Sequence, residues 1–225
     1  MQYVYVVPPP PFQRSNVHAP MYSLWAGGRL GLLGYGGGVF VDPSNNTETT
    51  GNFITNGLAV EVDVGARIMW HFIPYLGAEL GLVGPGHRFD GTSAHAGTSF
   101  LGFGVRMLAG AVDVVSFVSD VSFGVRQIEV SNDGSTWSGS DFEILRLGLG
   151  ADIRLTSQFT LSPLLTISGG KLTDSKGSVM FAPNQGDGLT GTPSYVNNGQ
   201  IQSNYQTSYE AVVIGCGAHF DLFGK

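Results

Sequence analysis

Tyr209-Glu-Ala-Val-Val-Ile-Gly-Cys-Gly-Ala-His-Phe-Asp-Leu-Phe223 closes the chain, and its two parities differ in chemistry. The even positions include Val212, Ile214, Cys216, Ala218, Phe220 and Leu222, whereas the odd ones include Tyr209, Gly215, Gly217, His219 and Asp221. A strand sends successive side chains to opposite faces, so one face here is apolar and the other small or polar. Seven earlier runs behave in the same way, and together they decide the fold.

Composition narrows the class. Only 12% of the 225 residues are charged, while 34 are glycine. That charge content is about half the share usual in soluble domains. A net charge of −6 argues against nucleic acid as a partner, which needs a basic face. The single cysteine, Cys216, excludes a disulfide framework within the chain. No apolar run approaches the roughly 18–20 residues of a membrane helix. Residues 1–20, with Pro8 to Pro11, have neither the basic start nor the apolar stretch of an export signal. They read as a Pro-rich leader on a mature form, ahead of one domain over 21–223.

In chain order, the outward sets of the first four runs begin with Tyr22, Leu58, Leu76 and Leu101. Those of the last four begin with Phe117, Leu145, Phe159 and Val212. The connections run long, short, long, short, long, short, long. Ile73-Pro74 and the segment near Asp113 read as tight turns, and Asn132-Asp-Gly-Ser135 turns the chain within one of the long connections. This predicts an all-β protein: an eight-stranded antiparallel up-and-down transmembrane β-barrel. An even strand count places both termini at the short-turn end.

The sidedness follows from cost. The non-apolar parity holds Arg29, Arg67, Arg106, Arg126, Arg146 and Arg154. It also holds Glu61, Asp63, Glu79, Asp120, Asp152 and Asp221. Facing lipid, each arginine near the midplane would cost about 2–4 kcal/mol. Facing inward, guanidinium and carboxylate groups can pair in an interior that eight strands leave just wide enough for side chains. The expected result is a filled, salt-bridged lumen. A hairpin centred near Ile73 would set Arg67 opposite Glu79, and one centred near Asp113 would set Arg106 opposite Asp120. Glu129, Glu143 and Glu210 fall on the outward parity at the long-loop rim, whereas Tyr22, Trp70, Phe72, Phe117, Phe159 and Phe220 form an aromatic girdle at the other. Pro163 on the outward parity predicts a bulge or a locally broken ladder, because a closed barrel has no edge for a missing N–H.

These features resemble the small eight-stranded bacterial outer-membrane barrels, the group of the OmpA transmembrane domain and OmpX. The likeness rests on strand number, loop asymmetry, the charged Gly-rich interior and the terminal strand. It implies an outer-membrane location with both termini periplasmic, among phospholipid and lipopolysaccharide. It also implies that Gly217, Phe220, Leu222 and Phe223 form the signal read by the barrel assembly machinery.

Candidate chemistry is sparse. Ser93, His87, His95 and Asp90 share one loop, and some barrels of this class are lipid A-modifying enzymes that use such sets near this rim. His71 and His219 read as lumen-facing, with Asp221 beside His219, and no third ligand suggests a metal. No cofactor is expected. Val39-Phe-Val41 with Phe53-Ile54, and Val179-Met-Phe181 with Tyr195-Val196, could extend hairpins for strand pairing with a partner. The resulting expectation is a non-enzymatic barrel, structural or adhesive, or a subunit docked to an envelope protein through residues 1–20. A narrow pore is the alternative.

Overall fold

The computed structural model describes residues 17–41, 45–182, 196–197 and 199–224. Eight long strands dominate it: β1 (Tyr22–Val41), β2 (Ile54–Ile68), β3 (Phe72–Pro85), β4 (His95–Ala111), β5 (Val115–Asn132), β6 (Ser135–Arg154), β7 (Phe159–Lys171) and β8 (Ser208–Leu222). Each pairs antiparallel with the next, and β8 returns to β1 from Leu24↔Leu222 to Gly37↔Tyr209. The ring is therefore closed. Closure gives the backbone polar groups partners within the sheet, as hydrocarbon surroundings require.

The outer wall is apolar. Leu30, Leu32, Leu58, Leu80, Leu101, Leu149 and Ile214 all point away from the axis and are exposed. Cys216 lies on the same outer face. On the opposite parity, Arg67, Arg106 and Arg126 are each only 1% exposed. This arrangement inverts a soluble protein and suits a chain that crosses a bilayer. Tyr22, Trp70, Phe72, Phe117 and Phe220 are exposed near the short turns, and the rings of Phe159 and Phe220 lie 5.0 Å apart.

Two registers differ from the sequence reading. The first short turn is Met69-Trp70-His71, with φ of 51° and 61° at its first two positions, and not Ile73-Pro74, which lies inside β3. Both positive φ values are those of a hairpin turn whose twist matches its strands. Ile68 therefore faces Phe72, and Glu61 faces Glu79. The pair Arg67–Glu79 does not form. An even register slip leaves every side chain on its original face, so both residues remain in the lumen. His71, in contrast, lies in the turn and is exposed.

The second difference is a one-residue bulge in β6. Ser122 faces Arg146, yet Gly124 faces Glu143, so Ile144 and Leu145 both point outward. Beyond that bulge every parity inverts, and Glu143 turns into the lumen with no exposed surface instead of reaching the rim. The connection above it is not a long loop. It is an extended hairpin closed by Asp133 and Gly134, with φ of 47° and 77°. Glu129 and Glu210 keep their outward, exposed positions.

Pro163 points outward and pairs in register with Cys216 of β8. On its other side the ladder skips from Gly150↔Leu164 to Ile153↔Leu161 without changing register. The ladder is broken locally and no bulge forms. The turn opposite the loops also carries a strap: the Ala19 N–H donates to Asp113 Oδ1 at 2.8 Å, and His18 Nδ1 lies 3.4 Å from Oδ2. Residues 1–16 of the Pro-rich leader lie outside the described residues.

Two expectations follow. Met69→Asn is expected to stabilise the barrel by about 0.5–1 kcal/mol, since asparagine tolerates the left-handed backbone better; urea unfolding in vesicles measures it, and a loss of stability would contradict the turn assignment. The Ala19 amide holds the Asp113 carboxyl below its usual range. A depressed carboxyl contributes above its unfolded pKa and loses that contribution as pH falls through its folded one. The Ala19 amide resonance should therefore hold steady down to the ordinary carboxylate range and shift only below it. A shift complete at higher pH would rule the contact out.

Candidate functional site

The lumen gathers charged side chains in layers. All twelve charged positions read from the sequence are buried there: Arg29, Glu61, Asp63, Arg67, Glu79, Arg106, Asp120, Arg126, Arg146, Asp152, Arg154 and Asp221.

Nearest the short turns, Asp221 on β8 accepts from Arg67 Nε at 2.7 Å, Arg154 Nη2 at 2.8 Å and Ser23 Oγ at 2.6 Å. The two arginines also reach turn carbonyls. Arg67 Nη1 donates to Trp70 O at 2.8 Å, while Arg154 donates to Val112 O at 3.0 Å and Ser157 O at 2.9 Å. One carboxylate thus ties three turns together.

In the middle layer, Arg106 Nε donates to Asp120 Oδ2 at 3.1 Å, as the second hairpin register requires. Tyr75 Oη donates to the other oxygen of Asp120 at 2.6 Å. The Trp25 ring packs against both His219, stacked at 4.4 Å, and the Arg106 guanidinium, at 4.8 Å, and Arg106 Nη1 itself lies 3.4 Å from His219 Nε2. His219 Nε2 lies 3.1 Å from Asp63 Oδ2, and Nδ1 lies 3.0 Å from Ser162 Oγ. The carboxylate beside His219 is therefore Asp63, and Asp221 belongs to the layer below. Ser162, His219 and Asp63 have the spacing of a nucleophile, base and acid. The single Ser162 proton is, however, donated to Asp152 Oδ1, and all four side chains are buried.

Toward the loop end the charges alternate in a chain. Arg29 pairs with Glu61, which also accepts from Arg146 at 2.7 Å. Arg146 reaches Glu79, and Glu79 accepts from Arg126 at 3.2 Å. Arg126 then pairs with Glu143, whose neighbour Tyr209 Oη donates to Asp141 Oδ1 at 2.8 Å. Each internal ion touches two of opposite sign, which is how buried charges offset their lost hydration. Phe100 lies under two of them, 4.7 Å from the Arg146 guanidinium and 5.3 Å from that of Arg126.

An apolar lid covers this chain. Phe53, Phe89, Trp137, Val179 and Val39 are buried together, and Trp137 Nε1 donates to Ser175 Oγ at 2.9 Å. The loop segments Val39–Val41 and Val179–Phe181 are thus mostly consumed in an internal core, and Val39, Phe40 and Val179 are not free for a partner strand. Tyr195 lies outside the described residues.

The loop set of the sequence reading does not assemble. His95 and Ser93 are exposed, and His87 approaches only Asp90, at 3.7 Å. Among the described residues no group of three His, Cys, Asp or Glu could hold a metal. Glu143 was missed because the bulge that inverts its parity leaves no mark in the alternation. Tyr75 was missed because a misplaced turn swallowed the start of β3. Gly217, Phe220 and Leu222 end β8, whereas Phe223 lies just beyond it with φ of 54° and is exposed.

Replacing Glu79 by leucine takes one of two carboxylate partners from both Arg126 and Arg146 at once. A cost of about 3–5 kcal/mol is expected in urea unfolding from vesicles. A change below about 1 kcal/mol, the range of exposed ion pairs, would show that the chain of charges is not desolvated.

No protein-family model matches the sequence, and no curated protein does. Among solved structures the chain is similar to Neisserial surface protein A, NspA, with a TM-score of 0.53 at 9% identity, over 89% of this chain and 99% of that one. It is also similar to the outer membrane protein OprG from Pseudomonas aeruginosa, with a TM-score of 0.51 at 11% identity, over 90% and 98% of the two chains. Identities this low speak for architecture alone. The chain has the fold of the small outer-membrane β-barrels.

Proposed function

We propose that this protein is a non-enzymatic outer-membrane barrel whose work is structural or adhesive. The short turns and both chain termini face the periplasm, and the lidded loop end faces outward. One observation carries the reading: the lumen is filled at every level by paired side chains, from Asp221 up to Glu143, and then capped by the Trp137 cluster. A conducting path needs continuous water, and guanidinium–carboxylate pairs whose side chains are at most 9% exposed argue against one. The same packing speaks against the narrow-pore alternative. Against a lipid-modifying activity, no nucleophile and base are in contact at the rim among the described residues.

A rigid filled barrel is a display platform. Its loop end is stiffened by the Phe53–Trp137 core and by the Arg88–Glu48 pair, so the surface it offers is set in shape. The terminal residues Gly217, Phe220, Leu222 and Phe223 serve assembly in this reading. Residues 1–20 are a periplasmic leader available to an envelope partner.

Planar-bilayer recording tests the central claim. Wild-type protein is expected to give no discrete conductance steps, whereas Arg126→Ala combined with Trp137→Ala, which empties the loop-end lumen and thins its lid, should give small ones. Stable steps from the wild type would replace the structural reading with the pore.

A further inference from the structure

In the middle layer of the lumen, three carboxylates face one guanidinium. Arg106 pairs with Asp120. Among the described residues, Asp63 then meets only the His219 ring, and Asp152 only the Ser162 hydroxyl. The second oxygen of each, Asp63 Oδ1 and Asp152 Oδ2, is buried without a partner. A buried carboxylate in such surroundings needs a cation beside it or takes up a proton.

The two carboxylates are the ends of one hydrogen-bonded chain. His219 Nε2 lies 3.1 Å from Asp63 Oδ2, His219 Nδ1 lies 3.0 Å from Ser162 Oγ, and Ser162 Oγ lies 2.5 Å from Asp152 Oδ1. Each of these three contacts requires one hydrogen. An ionised carboxylate supplies none, a hydroxyl one and a neutral imidazole one. Three contacts therefore share two hydrogens, and the chain is one proton short. A proton on the ring closes the count. Nε2 then donates to Asp63, Nδ1 donates to Ser162, and Ser162 donates to Asp152. The ring also becomes a cation between the two carboxylates that have no guanidinium.

Backbone geometry fixes the ring where both nitrogens are used. Gly27 lies between Asp63 and His219 in register, so the ring reaches across β1. A Cβ at Gly27 or at Gly217 would collide with it. Trp25 of β1 stacks on the ring at 4.4 Å, and an indole face favours a cation. The other strands supply the remaining charges. Arg106 of β4, whose Nη1 is 3.4 Å from Nε2, opposes a charged ring. Asp120 of β5 takes up that guanidinium and also accepts from Tyr75 of β3. Thr160 of β7 is uncharged, and Asp221 of β8 is engaged by Arg67 and Arg154.

We propose that Asp63, His219, Ser162 and Asp152 form a proton-binding site in the middle of the lumen, with the bound proton held on the His219 ring. The proton joins β8 to β2 and, through Ser162, β7 to β6. Its departure would leave two unpaired carboxylates at the centre of the barrel. The inference concerns the lumen alone and is independent of what the loop end displays.

Solid-state NMR of the protein in lipid vesicles, with 15N-labelled histidine, tests it at about pH 8, where an ordinary histidine is neutral. His219→Gln identifies the signals of the ring. In the wild type both ring nitrogens of His219 are expected to carry a proton. Asp152→Asn supplies the missing hydrogen from its amide, which can donate to Ser162, so Ser162 can donate to the ring. That variant should therefore lose the proton from Nδ1 while Nε2 keeps its own, in a barrel whose heat-dependent gel mobility shows it folded. A merely structural role for Asp152 would leave the ring signals unchanged. A bare ring nitrogen in the wild type, or a doubly protonated ring that persists in folded Asp152→Asn, overturns the proposal. The wild-type spectrum decides by itself if that variant does not fold.

Discussion

Six arginines sit in the lumen of a barrel that must cross hydrocarbon, and each must have a carboxylate or a carbonyl within reach. That requirement orders the rest of the structure. A guanidinium facing lipid near the midplane costs about 2–4 kcal/mol, so the charged parity can only face inward. A charge facing inward without a partner is costly as well. The ring of strands therefore closes around pairs, and the pairs decide which residues share a layer.

The layers differ in what they accomplish. Around Asp221, Arg67 and Arg154 extend past their carboxylate to the carbonyls of Trp70, Val112 and Ser157. The short turns are thus anchored to the barrel interior by side chains. In the middle, Trp25 fills space that pairs alone would leave, with His219 and Arg106 on its ring. At the loop end the alternating chain from Arg29 to Glu143 spans the lumen from β1 to β6. The apolar lid then keeps water away from those charges, which strengthens every pair beneath it.

The β6 bulge shows how a local irregularity serves that network. Arg126 lies above the reach of Asp120, and regular alternation would have turned Glu143 outward. Two successive outward residues, Ile144 and Leu145, bring Glu143 inside, where Arg126 receives a carboxylate from each side. The extended β5–β6 hairpin above the bulge then carries Trp137 into the lid.

The amino-acid sequence by itself determined the strand count, the closed antiparallel architecture and the inward face of the twelve charges on the non-apolar parity. Alternation is a local property, readable wherever a run keeps its period, and the cost of charge in lipid tells the two faces apart. Apart from Arg106 with Asp120, partner choice was decided by tertiary structure. Arg67 meets Asp221 and not Glu79 because a turn placed three residues earlier slides two strands without changing their faces. Glu143 pairs with Arg126 because one extra residue inverts parity where the sequence shows only another apolar pair. Period survives an even slip, so it fixes which way a side chain points, while distance across the lumen depends on where each turn closes.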